Sequence, residues 1–123
     1  MPRYAPVRRL RIHTADGVTA VSFRGRDVAL FREAAQEAAA ELNEVAGGVA
    51  EGALVLSFAN VSVLGAIMLA KLALLHKRLQ AGRARLILCD LRPQVYKAFQ
   101  VTRLNTVLDI RPREPLSRLA AAG

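Results

Sequence analysis

This chain is poor in the residues from which most protein chemistry is built. It has one cysteine (Cys89), no tryptophan, two histidines, two tyrosines and four phenylalanines in 123 residues. A single cysteine excludes an internal disulfide and a cysteine-built metal cluster, and it fits a reducing compartment. His13 and His76 stand apart from the cysteine and from any pair of carboxylates. A general base needs a nucleophile within hydrogen-bond reach, and the sequence nominates none, so neither catalysis nor a bound metal is expected. Phosphate-loop patterns of the GxxxxGK[ST] and GxGxxG type are missing, and no cofactor is expected. The longest apolar stretch, residues 61–75, is broken by Ser62, Gly65 and Lys71 and followed at once by His76-Lys77-Arg78. It is too short and too interrupted to cross a bilayer. The N-terminus carries arginines without an apolar h-region, so no signal peptide is expected and the cytoplasm is the expected location.

What the chain does have is aliphatic side chains and arginine. Hydrophobic residues make up 53% of it, and with so few aromatics the core must be mostly aliphatic. Val/Leu/Ile runs of this kind suit parallel strands buried on both faces. The length predicts one domain, over residues 7–110, with tails at 1–6 and 111–123. No repeat at 20–50-residue spacing and no low-complexity linker interrupts it. The net charge of +8 is unevenly placed. Residues 1–26 carry six arginines against Asp16, residues 27–70 six acids against Arg32, and residues 71–123 eleven basic residues against three acids. Such asymmetry suits an anionic partner or plain solubility. The basic residues are scattered, and the group His76, Lys77, Arg78, Arg83 and Arg85 has no aromatic stacking platform beside it. Nucleic acid and membrane are therefore disfavoured as partners. A solvated helix end complementing the helix dipole accounts for the group better.

Residues 7–13, VRRLRIH, alternate apolar and basic and suit an edge strand. Asp16-Gly17 is a turn signal, and residues 18–23 complete a hairpin. Asp27 is the expected N-cap of a helix over 29–45. Glu33, Glu37, Glu41 and Glu44 form its acidic stripe, Leu30, Ala34, Ala38 and Leu42 its inward side, and Gly47-Gly48 its end. Residues 53–58 read as a buried strand, 60–68 as a loop and 66–80 as a second helix closed by Gly82. A strand over 85–89 follows, with Cys89 as a small buried hydrophobe. Pro93 opens a third helix running to about residue 102, at the turn where its missing N–H costs nothing. A strand over 106–110 and a short helix over 116–122 end the chain. The order β-β-α-β-α-β-α-β predicts a single α/β domain. Its sheet is mostly parallel with an N-terminal antiparallel hairpin strand, and its helices pack on the sheet.

Residues 53–85, ALVLSFANVSVLGAIMLAKLALLHKRLQAGRAR, run on into LILCDLRPQVYKAFQVTRLNTVLDI. The order and spacing of these pieces resemble a STAS domain of the anti-sigma factor antagonist family, over nearly the whole chain. The resemblance implies a non-enzymatic module of bacterial signalling and transcription regulation that acts by partner switching. Its implied partner is an anti-sigma factor, an ATPase of histidine-kinase-like fold. In that family the loop before the second helix usually reads Asp-Ser-Ser-Gly. One of its serines is phosphorylated, and the added charge of about −1.5 to −2 weakens the complex. By position those four places are Gly65, Ala66, Ile67 and Met68. None carries a hydroxyl, so no phosphorylation site is expected and binding should escape the usual switch. The nearest hydroxyls, Ser57 and Ser62, precede the loop. Gly65 either permits the turn or exposes N–H groups that attract an anion.

Leu69, Leu72, Ala73 and Leu79, with His76, form the side of the second helix expected on the sheet. The opposite side carries Ile67 or Met68, Lys71, Leu74 or Leu75, and Arg78. Apolar side chains interleaved with basic ones suit a protein-docking surface, unless the C-terminal tail covers them. With the loop, the expected partner-binding set is Asn60, Ser62, Leu64, Ile67, Met68, Lys71, Leu74, Leu75 and Arg78. Two other roles stay open. One is a STAS subunit of a scaffold or lipid-transport ATPase complex, and the other a basic module for nucleic acid or an anionic membrane surface. The sequence gives no oligomeric state.

Overall fold

The Asp16-Gly17 turn starts the sheet. Both residues have positive φ, 50° and 78°, the geometry in which a two-residue turn follows the twist of its strands. It joins β1 (Leu10–Ala15) to β2 (Val18–Phe23) antiparallel, with Ala15 opposite Val18. The computed structural model describes residues 9–111. Val7 and Arg8 of the expected first strand, the expected tail over 1–6, the expected tail over 111–123 beyond Arg111 and the expected helix over 116–122 lie outside the described residues.

β4 (Glu51–Ser57), β6 (Arg83–Cys89) and β7 (Asp109–Arg111) continue the sheet in parallel, in the order β1-β2-β4-β6-β7. The mixed sheet with its antiparallel hairpin edge is thus the one the sequence predicts. β4 and β6 each start two residues earlier than expected, because the pairing extends to Glu51 opposite Arg83. The expected strand over 106–110 is corrected. Leu104–Thr106 is a 3₁₀ turn, and the N–H groups of Thr106, Val107 and Leu108 bond back to the carbonyls of Arg103 and Leu104. Those bonds remove 106–108 from the ladder, and β7 begins at Asp109.

Three helices pack on one face of the sheet: α1 (Arg32–Gly47), α2 (Ala66–Ala81) and α3 (Pro93–Val101). The main core joins Leu54, Leu56, Leu86 and Leu88 of the sheet to Ala35, Ala38 and Leu42 of α1. Leu72, Leu75 and Leu79 of α2 and Val95 and Phe99 of α3 complete it. Each buried leucine contributes about 1.5–3 kcal/mol relative to exposure. Alanines on α1 let it approach closely, and Arg78 of α2 reaches across to donate to the carbonyl of Asn43 at 3.0 Å. That bond places a cation near the negative end of α1. On the opposite face Val18, Ala53, Val55, Ile87 and Cys89 form a smaller buried cluster, so Cys89 sits among hydrophobes as expected. The acidic stripe of α1 has a structural use. The Arg9 N–H bonds both oxygens of Glu41 at 3.0 Å, and its guanidinium pairs with Glu37 at 2.8 Å.

The start of α1 differs from the sequence expectation. Val28–Leu30 is a strand, β3, and Val61–Leu64 is its parallel partner β5, together forming a separate two-stranded sheet. Asp27 caps no helix; the N-cap position is Phe31, in extended conformation and without a side-chain cap bond. Tertiary pairing overrides local signal here. The Val28 N–H bonds the Asn60 carbonyl and the Gly65 N–H bonds the Leu30 carbonyl. The expected loop over 60–68 is therefore a strand followed by the first turn of α2.

Candidate functional site

The carboxyl ends of β2, β4 and β6 carry a set of polar side chains that hold the segment leading into α2. Ser57 ends β4 buried, and its hydroxyl donates to Asp90 Oδ2 at 2.9 Å while accepting the Ala59 N–H at 3.3 Å. Asp90 follows β6 directly and takes a left-handed φ of 60°. Arg92 donates to the Ala59 carbonyl at 3.2 Å and pairs with Asp27 at 2.8 Å. The Asn60 side-chain amide donates to the Phe23 carbonyl at 2.9 Å. Residues 57–60 are thus tied to β2, to β6 and to the entry of β3. Burial makes the Ser57 bonds the costliest of these to lose, because a buried group abandoned by its partner has little water to turn to.

Beyond β5 the chain enters α2 through Gly65. Its φ is an ordinary −91°, so the turn itself does not demand glycine. A Cβ there would lie 2.7 Å from the Cβ of Phe31, and the glycine is needed for that close approach. Phe31 and Val63 are exposed at 46% and 47%, and Ile67, in the first turn of α2, at 37%. Leu74 is 61% exposed, two turns further along α2, with exposed Lys71 between them on the same face. An apolar strip with one lysine thus runs from Gly65 along α2.

Not all the expected partner-binding residues face outward. Met68 and Leu75 are buried in the main core, which corrects the expectation that either stands on the open side of α2. The choice between neighbours falls on Ile67 and Leu74. Leu64 is half-buried against the same core. The Ser62 hydroxyl is turned to the Val28 carbonyl at 3.4 Å. Asn60 is exposed, but its side chain is committed to Phe23, and that of Arg78 to Asn43. Lys71 is exposed and makes no ion pair among the described residues. Leu69, Leu72 and Leu79 pack inward as expected, with Ala73 and His76 half-buried. His76 Nδ1 is buried without a hydrogen-bond partner, and His13 is exposed on β1.

The sequence reading missed Phe31 and Val63. Phe31 was hidden inside the expected helix, and Val63 inside the expected loop. The alternation of VSVL was the available signal for Val63. Among the described residues no group of three His, Cys, Asp or Glu is placed to hold a metal ion, and no helix is long and apolar enough to cross a membrane.

The architecture is an α/β domain whose mixed sheet carries its helices on one face and a small accessory strand pair at its carboxyl end. Residues 9–115 match the family model of the STAS domain, and the chain belongs to that family. Solved structures agree on the fold. An anti-sigma-factor antagonist (STAS) domain protein from Planctomyces limnophilus superposes with a TM-score of 0.76 at 20% identity, over 93% of this chain and 98% of that one. The Bacillus cell-fate determinant SpoIIAA, in its phosphorylated form, gives 0.60 at 16% identity, over 93% and 99%. The murine anion transporter solute carrier 26 family member A9, in its inward-facing state, gives 0.67 at 18% identity. There the match covers 90% of this chain and 19% of the transporter. A search of curated protein sequences returned no match.

Proposed function

We propose that this chain is a non-catalytic protein-docking module of the anti-sigma factor antagonist type, working by partner switching without the usual serine switch. The observation that carries this reading is the exposed strip formed by Phe31, Val63, Ile67, Lys71 and Leu74 along the entry of α2. Large apolar side chains set around a cation, on a backbone pinned from three sides, suit recognition of a folded protein surface. The proposed partner is an ATPase of histidine-kinase-like fold acting as an anti-sigma factor. Gly65, Ala66, Ile67 and Met68 stand where that family's phosphoserine loop would be, and they offer no hydroxyl. Ser57 is no substitute, since its oxygen is buried and bonded to Asp90. In this reading partner release is set by abundance or by another subunit, in the cytoplasm.

A second reading makes the chain a STAS subunit of a larger assembly, such as a scaffold or transport complex. The fold's likeness to one part of an anion transporter favours it. Capture from native lysate with mass spectrometry separates the two, using wild type beside Ile67→Glu/Leu74→Glu. Recovery of an ATPase of histidine-kinase-like fold by wild type alone supports the first reading, and recovery of transporter or scaffold subunits the second. Equal capture by both forms removes the α2 strip as the docking surface. If the captured material is nucleic acid stripped off by salt, counterion release is the driving term and the basic charge is the message.

A further inference from the structure

We propose that the amino-terminal end of the sheet, opposite the α2 entry, holds a binding site for a phosphate-bearing small molecule, recognised by Arg83 and Arg85. A cleft of about 340 Å³ opens there between the Asp16-Gly17 turn on one side and Arg83 and Arg85 on the other. That volume lies at the small end of ligand clefts, which run about 300–1,000 Å³.

The sheet register sets the two arginines together. They stand two residues apart on β6, so their side chains leave the same face, roughly 7 Å apart along the strand. β7 begins only at Asp109, opposite Ile87, and no described strand pairs with β6 on that side at Arg83 and Arg85. On the other side Arg83 is opposite Glu51 and Arg85 opposite Ala53. Glu51, exposed, forms no ion pair with Arg83. The side chains of Asp16, Arg83 and Arg85 make no hydrogen bond or ion pair among the described residues, although each has capacity to spare.

The facing wall is fixed. Gly52 has a φ of 94°, and a Cβ on it would overlap the Gly17 carbonyl, which accepts the Ala53 N–H at 3.1 Å. The hairpin turn is thereby clamped to the start of β4, and Asp16 is held at the rim. Two uncompensated guanidiniums side by side repel one another, and a shared oxyanion relieves this with bidentate hydrogen bonds. Asp16 across the cleft disfavours a second anion and accepts from a hydroxyl or ammonium. The site therefore suits one phosphoryl group on a hydroxyl-bearing or amine-bearing body, either as a free ester or as a lipid headgroup.

The test is calorimetric titration of the full chain with inorganic phosphate, glycerol 3-phosphate and glycerol, beside sedimentation with phosphatidylcholine vesicles containing phosphatidylglycerol. The variants are Arg83→Gln, Arg85→Gln and Asp16→Asn. The expected result is binding of glycerol 3-phosphate above inorganic phosphate and none of glycerol. Each arginine variant should bind about tenfold or more weakly, the usual cost of a lost charged hydrogen bond. Asp16→Asn should narrow the preference for the ester. Arginine-dependent binding to vesicles with none to the ester would assign the phosphoryl group to a lipid headgroup. Absence of binding to every phosphate probe, or binding unchanged in both arginine variants, would overturn the proposal. All three positions are exposed, so the variants should fold, and thermal melting checks that they do.

Discussion

The two ends of the sheet handle their polar groups in opposite ways. At the carboxyl end Ser57 is bonded to Asp90, Asn60 to Phe23, and Arg92 to Asp27 and Ala59. At the amino end the side chains of Asp16, Arg83 and Arg85 line a cleft and bond to nothing among the described residues. An end whose polar side chains satisfy one another becomes a rigid platform, and recognition passes to the apolar side chains it displays. An end that leaves guanidiniums unpaired keeps recognition in charge, and binding there must weaken as salt screens it. Salt dependence is thus the sharpest way to tell which end a given ligand uses.

The amino end should be the harder one to disturb in backbone. Gly52→Ala is expected to cost on the order of 4 kcal/mol, from overpacking against Gly17 together with a strained positive φ. The urea midpoint measures it, and a midpoint equal to wild type would mean that the Asp16-Gly17 turn is not clamped to β4. At the other end the contrast falls between neighbours on one helix turn. Met68→Ala should cost about 3 kcal/mol, as buried large-to-small changes do, while Ile67→Ala should stay within about 0.5 kcal/mol. Comparable losses in the two variants would contradict the assignment of Met68 to the core and Ile67 to the surface.

That pair also shows how far the sequence was readable. The sheet strands LVLS and LILC, the Asp16-Gly17 hairpin and the helix order follow from local pattern, because each is written in consecutive residues. Which side of α2 faces in was half-legible. Leu69, Leu72 and Leu79 share an obvious stripe, but apolar residues occupy nearly every position from Ile67 to Leu75, so periodicity could not choose between Ile67 and Met68 or between Leu74 and Leu75. The structure chose by where α1 lies, since Met68, Lys71 and Leu75 line the seam with Ala39 and Leu42. β3 was illegible for a different reason. Three residues show no period, and Val28–Leu30 becomes a strand only because β5, thirty-odd residues later, pairs with it. Phe31 went unnoticed as a surface residue for the same reason. The amino-end cleft could not be read at all, since it depends on how far β7 extends beside β6.

Smaller effects test how much the carboxyl-end network contributes. Ser57→Ala should cost about 1–3 kcal/mol, because it removes the buried hydroxyl that donates to Asp90 and accepts from the Ala59 N–H, and leaves Asp90 Oδ2 to the weaker Cys89 thiol at 3.6 Å. Arg92→Ala should cost less. Asp27 has a side chain 76% exposed, so their attraction is felt mostly through water and is worth about 0.2–1 kcal/mol. Arg92 also donates to the Ala59 carbonyl, and salt separates the two contributions. In about 1 M salt the Debye length falls to about 3 Å, so the Asp27 share should fade while the carbonyl share remains. Asp27→Asn isolates the first share directly. If Arg92→Ala costs the same at both salt concentrations and Asp27→Asn costs nothing, Arg92 works at this end as a hydrogen-bond brace on Ala59, and its ion pair with Asp27 adds no stability.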